Sequence, residues 1–189
     1  MRLPRLSGVT LALLGFASVA YPFLVYFGIS HYGPATFAGL LFIILFLRFI
    51  FAKQYKEPTQ WALLIVVSLF CTITVFINSL DLLRYYPVVM STGFMIIFLY
   101  SLSSDTPLIE KFARAAGENP TPFAKRWARN LTKAWIVILL VNAIIAGYTA
   151  CCLSLEAWTL YNGLLSYILF ASFFTFEYII RKRFAHKFY

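Results

Sequence analysis

The side chains in this sequence that could do chemistry are few and widely spaced. Asn142, Asn162 and Glu177 stand inside long apolar runs, where a polar group is costly unless it pairs or lines a wet path. On a helical period Trp135, Asn142 and Thr149 recur every seven residues with Ala146 between the last two, giving one face with an amide near its middle. Asn162, Ser166, Phe173, Glu177 and Arg181 fall on a second face. Two chemistries fit these faces. Either the amides and hydroxyls bond neighbouring helices together while Glu177 pairs with Arg181 one turn on, or Asn142, Asn162 and Glu177 form the polar lining of a cavity open toward the cytoplasm, with aromatic walls. Catalytic groupings are sparse. His31 and His186 have no evident carboxylate or cysteine partner, and the sequence holds no glycine-rich phosphate loop, HxxxH pair, serine nucleophile motif or metal-type cluster. An enzyme would have to rely on scattered groups such as Asp81, Glu110, Arg114 and Glu177, which the layout below puts at different depths. The expectation is therefore no catalytic set, no metal and no cofactor. Cys71, Cys151 and Cys152 show no CxxC spacing and are expected to be buried small hydrophobes.

The elements that position these residues follow from composition. The chain has 189 residues, 61% of them hydrophobic, 19% aromatic and only 12% charged, against about 25% charged in soluble domains. Such a chain belongs in a membrane. Apolar runs at 6–29, 35–52, 60–80, 86–102, 134–155 and 157–180 each approximate the ~20 residues that a spanning helix needs. The predicted fold is an all-α, six-helix transmembrane bundle with short linkers and a single domain over 1–189. Pro22 and Pro87 recur in the similar stretches AYPFLVYFG and YYPVVMSTG and are expected to kink or start their helices.

Charge sets the orientation. With the N-terminus inside, Arg84 alone of the 16 lysines and arginines lies outside, so both termini are expected in the cytoplasm of a bacterial cell, with the protein in its inner membrane. This asymmetry, with attraction to anionic lipid, accounts for the net charge of +9, and nucleic acid is not an expected partner. The opening MRLPRLSGVTLALLGFASVAY imitates a signal peptide, but its apolar run continues to Ile29, long enough for an uncut anchor.

One polar segment interrupts the bundle at 103–133, between the fourth and fifth spans. Asp105 or Thr106 is expected to cap a first helix with Pro107 at its first position, and Gly117 to end it. Leu108, Ile109, Phe112 and Ala116 would share its apolar face, with Glu110 and Arg114 paired on the other. Thr121 and Pro122 repeat the start signal. Beyond them Phe123, Trp127, Leu131 and Ala134 form a stripe, and Lys125, Arg126, Arg129 and Lys133 crowd the opposing arc. The segment is expected to lie on the cytoplasmic membrane surface, its basic side toward lipid phosphates or an acidic partner.

The second half, about residues 85–183, resembles a family of bacterial multi-span inner-membrane proteins. The likeness rests on YYPVVMSTGFMIIFLYSLSSDTPLIEKFAR and on the later NLTKAW, VNAIIAGYTA, WTLYNG and FEYIIRKR. A more distant likeness joins the chain to the intracellular septation protein A family. The sequence departs from the commoner pattern at GENPTP, where an acidic EPDLPP is expected, and after Trp135, where Ile136 to Leu140 replace an aromatic pair. The resemblance implies a place beside acyl carrier proteins and ketosynthases, in clusters that make aryl polyene pigments or related lipids. It also marks Tyr86, Pro87, Glu110, Arg114, Trp135, Asn142, Trp158, Tyr161, Asn162, Gly163, Glu177 and Arg181 as the positions to watch. Of these, Tyr86, Trp135, Asn142, Trp158, Tyr161, Asn162, Glu177 and Arg181 are the cavity or ligand candidates. Glu110, Arg114, Lys125, Arg126, Arg129 and Lys133 are candidates for a surface toward lipid or partner. The expected function is that of an accessory protein which hands an apolar product to the membrane. A small lipid transporter or flippase, or a membrane enzyme acting on acyl chains, is the alternative. Expected partners are membrane lipids, an acyl carrier protein and neighbouring biosynthetic enzymes.

Overall fold

A computed structural model describes residues 20–51 and 58–183, and every regular element among them is helical. Most of the expected first span, and the cations Arg2, Arg5, Lys53, Lys56 and Lys187, lie outside the described residues, as does His186. The described helices are α1 (20–28), α2 (Pro34–Phe51), α3 (Pro58–Ile77), α4 (Leu80–Leu83), α5 (Tyr86–Ser101), α6 (Leu108–Ala115), α7 (Pro122–Cys152), α8 (Leu155–Leu160) and α9 (Ser166–Arg183), with a π turn at Tyr161–Leu165 joining the last two. Three stretches among the described residues are long and apolar enough to cross a membrane: Leu80–Ser101, Pro122–Cys152 and Leu155–Arg183. Shorter apolar lengths occur at Pro34–Leu47 and Leu64–Ile77. The protein is an all-helical membrane protein.

The chain folds as two compact units. The first comprises the described residues within Met1–Pro87 together with Ala146–Leu164. Its α2–α3 hairpin is fixed where the two helices meet. Asn78 follows α3 with a positive φ of 51°, and its side-chain Oδ1 accepts the Ala35 N–H at 3.0 Å, satisfying an orphan donor at the start of α2. Ser79 then caps α4, accepting from Leu82 N–H, so the linker NSLDLLRYY contains a helical turn.

The second unit comprises Val88–Ile145 with Leu165 onward. Here the polar segment departs from expectation in two ways. Neither Asp105 nor Thr106 caps α6. Pro107 holds the cap position without a side-chain bond, and the Leu108 N–H donates instead to Ser101 Oγ, seven residues back, at 3.2 Å. The exit is as the sequence reads it: Gly117 adopts φ 89°, with Gly117 N–H donating to Arg114 O and Glu118 N–H to Ala113 O, the paired bonds of a Schellman end.

The second departure is the face that α6 packs. Glu110, expected on an outward surface toward lipid or partner, is 2% exposed because Arg114 pairs with it from outside, while Phe112, on the face expected to meet lipid, is 47% exposed. Thr121 Oγ1 accepts the Ala124 N–H and starts α7, which then runs unbroken for 31 residues to Cys152. Residues 122–133 are thus the first turns of the same helix that contains the fifth apolar run. The physical reason is that α7 has no proline after its first position and no glycine before Gly147, while its charged side chains are solvated without disturbing the backbone ladder. Its buried stripe is Ala124, Ala128, Thr132, Trp135 and Leu139, and the apolar stripe of Phe123, Trp127, Leu131 and Ala134 runs half-buried beside it. Small residues on the buried stripe let neighbouring backbone approach closely, which is where helix packing in lipid gains its contacts.

Candidate functional site

In the first unit the polar groups converge on the end of α7. Trp158, fully buried, donates its indole N–H to the Arg84 carbonyl at 2.9 Å and meets the Tyr86 ring edge-on. Tyr86 in turn meets Tyr21 edge-on at 4.6 Å, and the Tyr21 hydroxyl donates to Phe37 O. Asn162 is buried and donates to Thr149 Oγ1 at 3.2 Å and to Trp158 O at 2.9 Å. The latter bond occupies a carbonyl that an ordinary helix would give to a backbone N–H four residues on, and Asn162 sits within the π turn that Tyr161 opens. Gly163, in the same turn, lies against the Phe23 ring. A Cβ there would stand 2.6 Å from Phe23 Cε2, closer than side-chain atoms tolerate.

Arg84 is the residue that sequence reasoning missed. It was expected only as the lone outer cation, yet its side chain is 11% exposed. Its guanidinium donates to Thr149 O at 2.8 Å, to Leu153 O at 2.5 Å and, more weakly, to Ser154 O at 3.4 Å. Thr149 O is one of the carbonyls with no partner further along α7, and Leu153 O and Ser154 O follow just past its end, where the helix dipole also favours a cation; Ser154 O in addition accepts the Trp158 N–H. The Asp81 carboxylate, 89% exposed, lies at the 4.0 Å limit of an ion pair. The signal available in sequence was a single arginine kept inside an otherwise apolar, aromatic context.

In the second unit Asn142 is buried and donates to Ser91 Oγ at 2.8 Å. Trp135, one of the aromatic candidates, is enclosed by Phe98, Phe170, Phe173 and Phe174, with ring centroids 4.6 Å away at the nearest. Glu177 is 12% exposed. Its Oε1 accepts the Trp127 indole N–H at 3.3 Å and pairs with Arg181 at 3.4 Å. Glu110 receives two bonds from Arg114, at 3.0 and 2.7 Å, an ion pair with its carboxylate inside and its guanidinium half out. The candidates thus divide. Tyr86, Trp158, Tyr161 and Asn162 belong to the first unit, while Trp135, Asn142, Glu177 and Arg181 belong to the second.

The basic arc holds together as one surface. Lys125, Arg126, Arg129 and Lys133 are all exposed on the first turns of α7. Arg129 also reaches back to accept a structural role, donating to Leu102 O at 2.7 Å beyond the end of α5. No protein family model, characterised protein or solved structure matches the chain. A shallow groove of about 490 Å³ runs along α9, lined by Ile168, Ala171, Ser172, Thr175, Phe176 and Ile179, and it includes none of the sequence candidates. Among the described residues no three histidine, cysteine or acidic side chains are grouped as a metal site.

The cysteines correct one expectation. Cys71 is buried within α3, but Cys151 and Cys152 are exposed. They are the last two residues of α7, where the helix leaves its packed stripe, so burial ends before the helix does.

Proposed function

We propose that this chain is a non-enzymatic accessory protein of the bacterial inner membrane, crossing it six times with both termini in the cytoplasm. On this reading the basic face of α7 docks an acidic acyl carrier protein and holds it at the bilayer, where the apolar product of a lipid or aryl polyene pathway is handed to the membrane. The observation that carries the reading is the exposed array of Lys125, Arg126, Arg129 and Lys133 on one stretch of helix. Residues four apart on a helix stand over one another, so these four occupy about a quarter to a third of the helix circumference. A single-sign surface of this kind steers an oppositely charged partner and sets its register.

The internal polar residues support a scaffold over a transporter or an enzyme. Asn142 bonds Ser91, Asn162 bonds Thr149, and Glu177 holds Trp127 and Arg181, each a way of satisfying a polar group in lipid by joining helices. Buried pairs of this kind stabilise a fold without needing a ligand.

The test is binding of purified acyl carrier protein to the full-length protein in nanodiscs of neutral lipid. Replacing Lys125, Arg126, Arg129 and Lys133 together by Gln is expected to weaken binding by about fourfold to several-hundredfold, taking roughly 0.2–1 kcal/mol for each exposed charge. Raising the salt should weaken the wild type similarly, because exposed charges are screened beyond about 8–10 Å. Unchanged affinity in the quadruple variant, or no binding even at low salt, defeats the docking assignment.

A further inference from the structure

Two exposed cysteines close α7. Cys151 and Cys152 are its final residues, free thiols whose Sγ atoms touch one another. In the middle of a helix consecutive side chains diverge by about 100° around the axis, so neighbouring cysteines face different directions. At the last turn that restriction relaxes. The terminal carbonyls have no partners further along the helix, and the chain turns at once through Leu153 into the extended Ser154 that caps α8. The peptide joining the two cysteines can therefore leave helical geometry without breaking bonds of a following turn.

We infer that Cys151 and Cys152 form a redox-active vicinal dithiol that closes to an intrachain disulfide on exchange with a small-molecule or protein disulfide. The Cys152 thiolate attacks one sulfur of the incoming disulfide, forming a mixed disulfide and releasing one thiolate. Cys151, deprotonated, then attacks the Cys152 sulfur, closes the eight-membered ring and expels the second thiolate. One disulfide is reduced to two thiols, the protein dithiol loses two electrons, and its two protons pass to the released thiolates. Exchange of this kind needs an accessible attacking sulfur, which the exposed pair provides and buried Cys71 does not. The assignment is independent of the docking proposal. On the topology proposed above, this end of α7 faces away from the cytoplasm, the side on which disulfides persist.

The probe is oxidised glutathione, applied to the full-length protein in nanodiscs with Cys71→Ala removing the third thiol. Before treatment a maleimide reagent should label two sites, and after treatment none, with dithiothreitol restoring both. Mass spectrometry should show one peptide carrying both cysteines, lighter by two hydrogens and bearing no glutathione. Cys151→Ser should instead stop at a stable glutathione adduct on Cys152, and the contrast with the adduct-free parent assigns the second step to the Cys151 thiol. A persistent glutathione adduct in the parent, a disulfide-linked dimer, or unchanged labelling overturns the assignment.

Discussion

Replacing Arg84 by Leu tests whether one side chain closes the end of α7. The substitution removes donors to Thr149 O at 2.8 Å and Leu153 O at 2.5 Å, and the weak 3.4 Å contact with Ser154 O. Hydrogen bonds from a charged group contribute roughly 1.5–3 kcal/mol each, so the two short ones set the scale at about 3–6 kcal/mol. Two effects reduce it. The buried Arg84 Nε has no partner, a cost that Leu relieves, and the freed carbonyls stand at a helix end where water can reach them. The net expectation is about 2–4 kcal/mol of lost stability. Asp81 adds little, being 89% exposed at 4.0 Å, and Asp81→Asn should stay within about 0.5 kcal/mol of wild type. Arg84→Lys, which keeps the charge but not the planar fork, should fall between. Equilibrium unfolding in mixed detergent micelles, followed by circular dichroism, measures all three. The Trp158 bond to the Arg84 backbone carbonyl survives in each variant, so the folded indole signal should be unchanged. An Arg84→Leu protein within 0.5 kcal/mol of wild type, or one no worse than Asp81→Asn, would refute the capping role.

Other perturbations are expected to act as follows. Gly163→Ala puts a Cβ against the Phe23 ring and should cost about 1–3 kcal/mol in the same unfolding assay, with Phe23→Ala recovering part of the loss in the double variant. Asn142→Ala and Ser91→Ala should be non-additive, with a coupling of about 0.6 kcal/mol and at most about 1.7, as seen for hydrogen bonds between membrane helices; strict additivity would mean that the 2.8 Å bond contributes nothing. Glu177→Gln retains an acceptor for Trp127 but loses the charge facing Arg181. It should lower stability by less than about 1 kcal/mol, given the half-exposed arginine, and a larger loss would show that the carboxylate does more than pair locally.

The helices were legible because lipid demands long apolar runs, and the sequence supplies them at Pro122–Cys152 and Leu155–Arg183. The Gly117 exit and the Thr121 cap were legible because each depends on local backbone chemistry. Facing was harder. The apolar faces that carry Phe112 and Phe123 were legible from the helical period, but not which side of each helix packs on its own protein. In a membrane the outside is apolar too, so Phe76 at 84% and Ile144 at 62% exposure are ordinary, and the packed side is chosen by small size and hydrogen bonding. Glu110 inside and Ala124, Ala128 and Thr132 in contact follow from that choice. The long-range partners had no local signal at all. Nothing in the spacing of Ser101 and Leu108, or of Arg84 and Leu153, announces a bond whose formation depends on tertiary approach.

The unbroken α7 is also a ruler. Its 31 residues extend about 46 Å, while the hydrocarbon layer is only about 30 Å thick. A membrane crossing by this helix leaves roughly 15 Å of rigid rod above the acyl chains, and Lys125 to Lys133 lie along that excess. That excess is itself held in place: Ala124 and Ala128 are buried, Trp127 bonds Glu177 and Arg129 bonds Leu102 O. Adding or deleting one turn near residue 130 would shift the outermost charges by about 5.4 Å and draw Ala124, Trp127 and Ala128 away from what they pack against. Clearance from the lipid surface is then set by the same contacts that seat the helix, and a single inserted residue, which turns everything before it by about 100°, would cost those contacts as well as the register of the basic arc.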